Sequence, residues 1–264
     1  MKIVLLGSGN VATVLGRLFC KAHHTVTQVF SRSAESSQIL AAELTSVSGN
    51  PVAFTNNIQD LDQGADLYLL CVSDNALQKA ASWLKLGDQL VAHTAGGVSK
   101  KVLSNVSANY GVLYPLQSLR KEMSRVPEIP FLVDGNTSRS LTTLSDLAFQ
   151  ISPHVQQADD EIRLKLHIGA IIVNNFTNHL FTLAADYCER ESIDFSLLMP
   201  LIREGAERLQ FASPGALQTG PAVREDTATI QDHERLLASH PRLLAIYTTL
   251  TSSIRQYYHQ QNKK

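Results

Sequence analysis

The sequence predicts an α/β protein: a doubly wound, mostly parallel sheet in the N-terminal part, followed by an all-α C-terminal part. Three observations carry this. From residue 1 to about 155, short apolar runs alternate with stretches of helical periodicity, the pattern of right-handed β–α–β crossovers. The first apolar run opens directly into a Gly-x-Gly-x-x-Ala turn and a helix. From Asp159 onward every periodic segment is helical. The change of texture puts a boundary near residue 157, with 1–157 and 158–264 as the two expected domains.

The elements follow in order. Residues 3–6 are continuously apolar, as a central parallel strand buried on both faces must be. Residues 11–21 place Val11, Val14, Leu15, Leu18 and Phe19 at helical spacing. Residues 25–30 are rich in β-branched side chains and read as a second strand, and 34–44 as a second helix. Residues 67–72 and 89–93 are further apolar strands. Weaker strand signals lie at 112–114, 131–133 and around 154–155, with a helix at 138–149 between the last two. Residues 160–190 form one long helical pattern interrupted only by Gly169. Residues 196–211, 226–238 and 241–260 complete the helical part. Pro241 sits in a first turn, where its missing N–H is harmless, and Pro200 does too if Ser196 caps that helix.

The composition excludes several classes. With 44% hydrophobic and 18% charged residues the chain reads as an ordinary globular protein. Its 23 Lys and Arg balance 24 Asp and Glu, which leaves no electrostatic footprint for nucleic acid or an acidic membrane. Cys20, Cys71 and Cys188 are odd in number and far apart with no Cys-x-x-Cys pair, so neither a zinc site nor a disulfide framework is expected. No run approaches the roughly 20 apolar residues of a membrane span, and no signal-peptide core opens the chain. The expectation is a cytoplasmic protein without a metal.

The loop Gly7-Ser8-Gly9-Asn10-Val11-Ala12 carries the first chemical signal. Gly7 permits the tight turn after the strand. Gly9 lets the backbone approach a pyrophosphate, and Ala12 lets the helix pack closely on the strand. The helix N-terminus then offers free N–H groups to phosphate. Between a strand and a helix, the pattern reads as a dinucleotide-binding turn more readily than as a purely structural glycine turn. About twenty residues on, where an acidic residue would hold the ribose 2′-hydroxyl of NAD, the chain has Phe30-Ser31-Arg32-Ser33. Arg32 suits a 2′-phosphate, with Ser31 and Ser33 as hydrogen-bond donors. Ser33 also suits the cap of the next helix, and both roles are compatible. NADP is therefore favoured over NAD, and NADPH over NADH.

Ligands of such sheets lie beyond the carboxyl ends of the strands. Val72 and Ser73 end one strand beside the expected cofactor, and either Ser73 or Asp74 suits a helix cap as well as chemistry. His93-Thr94-Ala95-Gly96-Gly97 ends the next. The small residues allow a flat ring against the backbone, and His93 reads either as a cofactor or substrate contact or as a structural histidine. Tyr114-Pro115-Leu116-Gln117-Ser118 forms a further wall.

Together, the glycine loop, Ser31-Arg32, Val72-Ser73-Asp74, His93-Thr94-Ala95-Gly96 and Tyr114-Pro115-Leu116-Gln117 resemble a family of predicted NADP oxidoreductases. These join a Rossmann-like domain to a helical C-terminal domain of unknown function. The chain is more distantly similar to pyrroline-5-carboxylate reductase, deazaflavin-dependent NADP oxidoreductase and the 6-phosphogluconate dehydrogenase superfamily. The resemblance covers essentially the whole chain. In the second part it rests on His167 with Asn175-Phe176, and on Thr219-Gly220-Pro221-Ala222-Val223-Arg224-Glu225-Asp226 with His233. It implies a homodimer formed through the helical domain.

At about 100° per residue, His167, Asn174 and Asn178 fall on one helix stripe with Asn175 beside it, among residues apolar around most of the circumference. Such a helix is expected to be buried. Its His and Asn groups then either satisfy one another or face a polar pocket. The wider superfamily places a lysine and an asparagine about one turn apart on this helix. This chain departs from that pattern, since Lys165 points away from His167. Arg224 reads as an anchor for an anionic substrate group or as the partner of Asp226, which suits an N-cap. His233 reads as a core residue more readily than as a ligand.

The sequence thus leads to an NADP-dependent oxidoreductase. Hydride would pass between the nicotinamide and a small carbonyl, imine or alcohol at the domain interface, with His167 as proton donor, Asn175 as orienting group and Arg224 as anion anchor. The alternative is an NADP-binding sensor or scaffold without turnover.

Overall fold

The computed structural model describes residues 1–261. Eight strands form one sheet: β1 (Lys2–Leu6), β2 (Thr25–Phe30), β3 (Ala53–Thr55), β4 (Leu67–Leu70), β5 (Leu90–His93), β6 (Tyr110–Pro115), β7 (Phe131–Gly135) and β8 (Val155–Gln157). Their order is β3-β2-β1-β4-β5-β6-β7-β8. All neighbours are parallel except β6 and β7, which are antiparallel. The winding reverses at β1, between β2 and β4, so a crevice opens beyond the carboxyl ends of β1 and β4.

The strands alternate sides in register. Ile3, Leu5, Leu67 and Leu69 pack on one face with Leu15, Phe19 and Leu44, whereas Val4, Leu6, Tyr68 and Leu70 pack on the other with Leu77 and Val91. The first face is covered by α1 (Asn10–Lys21) and α2 (Ala34–Ser48), and the second by α3 (Asp74–Ser82). The N-terminus of α1 has no side-chain cap, which forgoes about 1 kcal/mol. Burial of Leu15 and Phe19, each contributing about 1.5–3 kcal/mol, outweighs that loss. The helix α4 (Ser138–Phe149) packs on β6 and β7.

The α/β reading holds, as do the main strands and the helices over 11–21 and 138–149. The three-residue β3 lay below what pattern can detect. The helix expected over 196–211 is broken: 3₁₀ turns at Phe195–Leu198 and Arg208–Gln210 flank α7 (Met199–Glu207). The cap is Asp194 rather than Ser196. Its carboxylate accepts the Ser196 N–H at 2.8 Å and the Ser196 hydroxyl at 2.6 Å. Pro200 does fall in the first turn of α7.

The long helical stretch is α5 (Asp160–Ala170), a π-helical turn (Ile171–Phe176) and α6 (Thr177–Arg190). The π turn takes more residues per turn than the α-helix, so the uniform 100° stripe does not survive it. Nor is this stretch buried within the chain: Val173 is 72% exposed, and Ile168, Ile172 and Phe176 are more than half exposed. An apolar circumference reports what a helix needs to cover, and these four side chains stand uncovered.

Two compact units are residues 1–175 and 176 onward. In the second, α8 (Thr227–Leu236) and α9 (Pro241–Gln261) follow α6 and α7. Asp226 caps α8, accepting the Thr229 N–H at 3.1 Å. His233 Nδ1 lies 2.8 Å from Tyr247 Oη and His240 Nε2 lies 2.7 Å from Glu191 Oε1, so both histidines have partners inside the helical unit. Among the described residues no helix is long and apolar enough to cross a membrane.

Candidate active site

Two of the cavities in the first unit bear on the expected site. The first, of about 270 Å³, sits at the reversal of the sheet. Its walls are the β1–α1 turn, the ends of β2 and β4, and one face of α3. Gly7 has φ +126°, a conformation that side chains rarely adopt, and a Cβ there would lie 2.3 Å from the carbonyl oxygen of Cys71. The glycine therefore lets the turn cross the end of β4 in backbone contact. At Gly9 a Cβ would meet nothing within 4 Å, so the turn is open on that side.

Ser8 Oγ donates to Ser31 Oγ at 3.0 Å, which ties the turn to the end of β2. Ser31 and the exposed Arg32 line this cavity, as do Val72 and Ser73. Ser33 does not; its hydroxyl caps α2 by accepting the Ser36 N–H at 3.3 Å. Asn10 and Val11 also lie outside the wall. Asn10 Oδ1 accepts the Lys121 N–H at 3.2 Å, and Val11 packs against the core. Ser73 is the N-cap residue of α3, without a side-chain cap bond, and Asp74 is the first helical residue. Burial pushes the Cys71 thiol, in the same wall, up to about 12.

His93 was expected among the cofactor contacts, but its position argues against that. It is fully buried and borders neither cavity; its Nδ1 accepts the Ala95 N–H at 3.1 Å. Burial first, and the nearby Arg163 charge second, push its pKa down to about 4, so the ring stays neutral.

The second cavity, of about 560 Å³, is lined by the end of β6 and its following loop, by α5 and by the π turn. Here Tyr114 Oη lies 2.9 Å from His167 Nδ1, with the two rings edge to face at 5.8 Å. A Cβ on Gly96 would lie 2.7 Å from His167 Nδ1 and 2.8 Å from Tyr114 Cζ, so the glycine gives the pair its seat. Asn174 and Asn175 border the same cavity from the π turn. Burial, and then the Asp74 charge, raise the Tyr114 pKa, while Arg163 opposes them.

One turn before His167, Arg163 is 1% exposed; its Nη2 donates to the Val98 carbonyl at 2.5 Å and to Asp160 Oδ1 at 2.7 Å. Burial opposes ionisation of Asp160, but hydrogen bonds from Ser99, Arg163 and Lys100 hold its carboxyl below the ordinary range. This network fixes α5 to the loop after β5, and with it the height of His167. Arg224 lies in the second unit, exposed in the turn before α8.

Sequence reasoning placed Tyr114 only as a wall and did not find Arg163, Lys79 or Trp83. The last two are four residues apart, Lys79 on α3 and Trp83 at its C-cap, a spacing that puts them on one face. That was the available signal.

Comparison with known proteins bears on the family and the fold. Residues 2–96 match the family model described as NADP oxidoreductase coenzyme F420-dependent, and residues 129–254 match the domain of unknown function DUF2520. No curated protein matches the chain. Among solved structures, the chain is similar to BF3122 from Bacteroides fragilis, provisionally titled an NADP oxidoreductase. The identity is 32% and the TM-score 0.87, over 97% of this chain and 98% of that one. It shares its fold with 1-pyrroline-5-carboxylate reductase from Streptococcus pyogenes (15% identity, TM-score 0.63, 97% and 98% covered). It also shares it with the reductive aminase from Aspergillus terreus solved with NADPH and ethyl-5-oxohexanoate (15%, 0.69, 98% and 94%).

Proposed function

We propose the reaction from one premise, that the chain belongs to the NADP oxidoreductase family of its Bacteroides fragilis relative. The reading is an NADPH-dependent reduction of a small carbonyl or imine, or its reversal on the alcohol or amine. The observation that carries it is the crossing of Gly7 over Cys71 with Gly9 left open, in a cavity that Ser31 and Arg32 also line. The residues present fit the dinucleotide. Gly7, Ser8 and Gly9 would hold the pyrophosphate, Ser31 and Arg32 the 2′-phosphate, and Val72 and Ser73 the adjoining ribose. NADPH, when bound, supplies the hydride.

The chain's own residues do the rest. His167 and Tyr114 hold a proton at the edge of the second cavity, for the heteroatom that gains charge as the double bond is reduced. Asn175 orients that group, and Arg224 is assigned an anionic substituent. Residues 1–157 serve the nucleotide, and 158–264 serve the substrate and a homodimer. Support for reduction of a C=N bond comes from relatives of this fold titled as pyrroline-carboxylate reductase, reductive aminase and imine reductase.

The test is calorimetric titration with NADPH, NADH, NADP and NAD, followed by NADPH oxidation at 340 nm across cyclic imines and small oxo-acids. Tighter binding of NADPH than NADH, with turnover on at least one class, is expected. Equal affinities would remove the role of Arg32. Binding without turnover on any class would favour the sensor reading.

A further inference from the structure

The first cavity has a second wall that the glycine-loop pattern does not account for. The α3 residues Ala76, Lys79 and Ala80 and the C-cap residue Trp83 line it, as Arg32 does. The two alanines leave a shallow, flat, apolar surface. Trp83 stands at its end, 39% exposed, with Lys79 Nζ 5.8 Å from its ring centroid. Neither Arg32 nor Lys79 has an ion-pair partner among the described residues. Two unneutralised cations on one small cavity repel each other until an anion lies between them, and the repulsion is best relieved by a dianion. A phosphomonoester carries about −1.5 to −2 at neutral pH, whereas a ribose hydroxyl carries none.

We propose that α3 supplies the other half of the adenosine site: Lys79 pairs with the 2′-phosphate from the side opposite Arg32, and Trp83 packs against the adenine. This rests on the dinucleotide reading above. It assigns discrimination between NADPH and NADH to two cations from two elements rather than to the end of β2 alone. It also separates the roles on α3. Lys79 acts only on the phosphate, so it affects NADPH. Trp83 acts on the base, which both nucleotides share.

The chain contains a single tryptophan, so its fluorescence reports this wall alone. The experiment titrates NADPH, NADH and 2′-AMP into wild type, Lys79→Gln, Arg32→Gln and Trp83→Ala by calorimetry, and follows Trp83 emission where the residue is present. Lys79 and Trp83 are exposed enough for the variants to fold, and circular dichroism checks each one. Lys79→Gln is expected to weaken NADPH and 2′-AMP about tenfold and leave NADH unchanged. Trp83→Ala is expected to weaken all three. Quenching of Trp83 by 2′-AMP alone supports its place at the base.

If Arg32→Gln weakens NADPH while Lys79→Gln does not, the dinucleotide reading stands and the role of Lys79 is overturned. If 2′-AMP binds by calorimetry but leaves both the emission and the affinity of Trp83→Ala unaltered, the role of Trp83 is overturned. If wild type binds none of the three, the reading beneath the proposal fails and the proposal with it.

Discussion

Tyr114 Oη and His167 Nδ1 are 2.9 Å apart although 53 residues separate them in the chain. One side chain comes from the end of strand β6 and the other from the helix that follows the whole sheet, so the bond exists only in the finished fold. If the two share one proton as a unit, their removal is not additive. His167→Ala and Tyr114→Phe should each lower kcat by roughly 10²–10⁴-fold with NADPH affinity retained, and the double variant should be little worse than the poorer single one. Steady-state kinetics on whichever imine or carbonyl turns over, with calorimetry for NADPH, decides this. Full turnover by His167→Ala would remove its assigned role.

The seat of this pair gives a second prediction. A methyl group on Gly96 would enter the space now held by the His167 ring and the Tyr114 Cζ. The Asp160–Arg163 contacts to the loop after β5 leave little room for α5 to retreat. Gly96→Ala should therefore destabilise the protein by about 1–3 kcal/mol in urea unfolding and separate the pair. Turnover should fall more than stability alone explains, at an enzyme concentration and temperature where the variant is folded. Gly9→Ala, where a Cβ meets only open space, should by contrast leave stability nearly unaltered and reduce nucleotide affinity.

These contrasts mark what the sequence could reveal. The Gly7–Gly9 turn was legible because its chemistry is local: strand, tight turn and helix start lie within a dozen residues, and each imposes its own residue type. The continuous apolar run Leu67-Tyr68-Leu69-Leu70, which supplies cores on both faces of the sheet, was legible for the same reason. The neighbours of His93 were not. A strand-end histidine looks the same whether its ring turns to the cleft or inward, and the surroundings of the inward ring include the charge of Arg163, which arrives 70 residues later. The π turn at Ile171–Phe176 was also beyond pattern, since its residues fit an ordinary helix. A uniform helix without it carries one continuous stripe from His167 to Asn178.

The exposed apolar side chains of the same stretch bear on assembly. Val173 and Phe176 stand 72% and 59% exposed, and solvent does not favour keeping them so. The proposed homodimer would bury them against a second copy. Val173→Glu should then shift the protein from dimer to monomer in sedimentation equilibrium at micromolar concentration, and lower its melting temperature in a concentration-dependent way. A wild type that sediments as a monomer would end the dimer reading, and the exposed face would need another explanation.

The buried His93 makes stability depend on pH in a direction its environment fixes. In the folded chain the ring titrates at about 4, pushed down by burial and by Arg163. In the unfolded chain it titrates near the ordinary histidine value of about 6.5. Below that value the unfolded state binds a proton that the folded state refuses, so stability falls as pH drops from about 6.5 to about 4 and the loss then saturates. The full displacement corresponds to about 3 kcal/mol. Urea unfolding at pH 7.5, 5.5 and 4.5 measures the slope, and His93→Gln isolates this group from the other histidines. The variant should be less stable than wild type at pH 7.5, through imperfect packing, yet lose less stability between 7.5 and 4.5. Parallel slopes for the two proteins would mean that the ring takes up its proton in the folded state, and that the space between β5 and Arg163 admits more water than its burial implies.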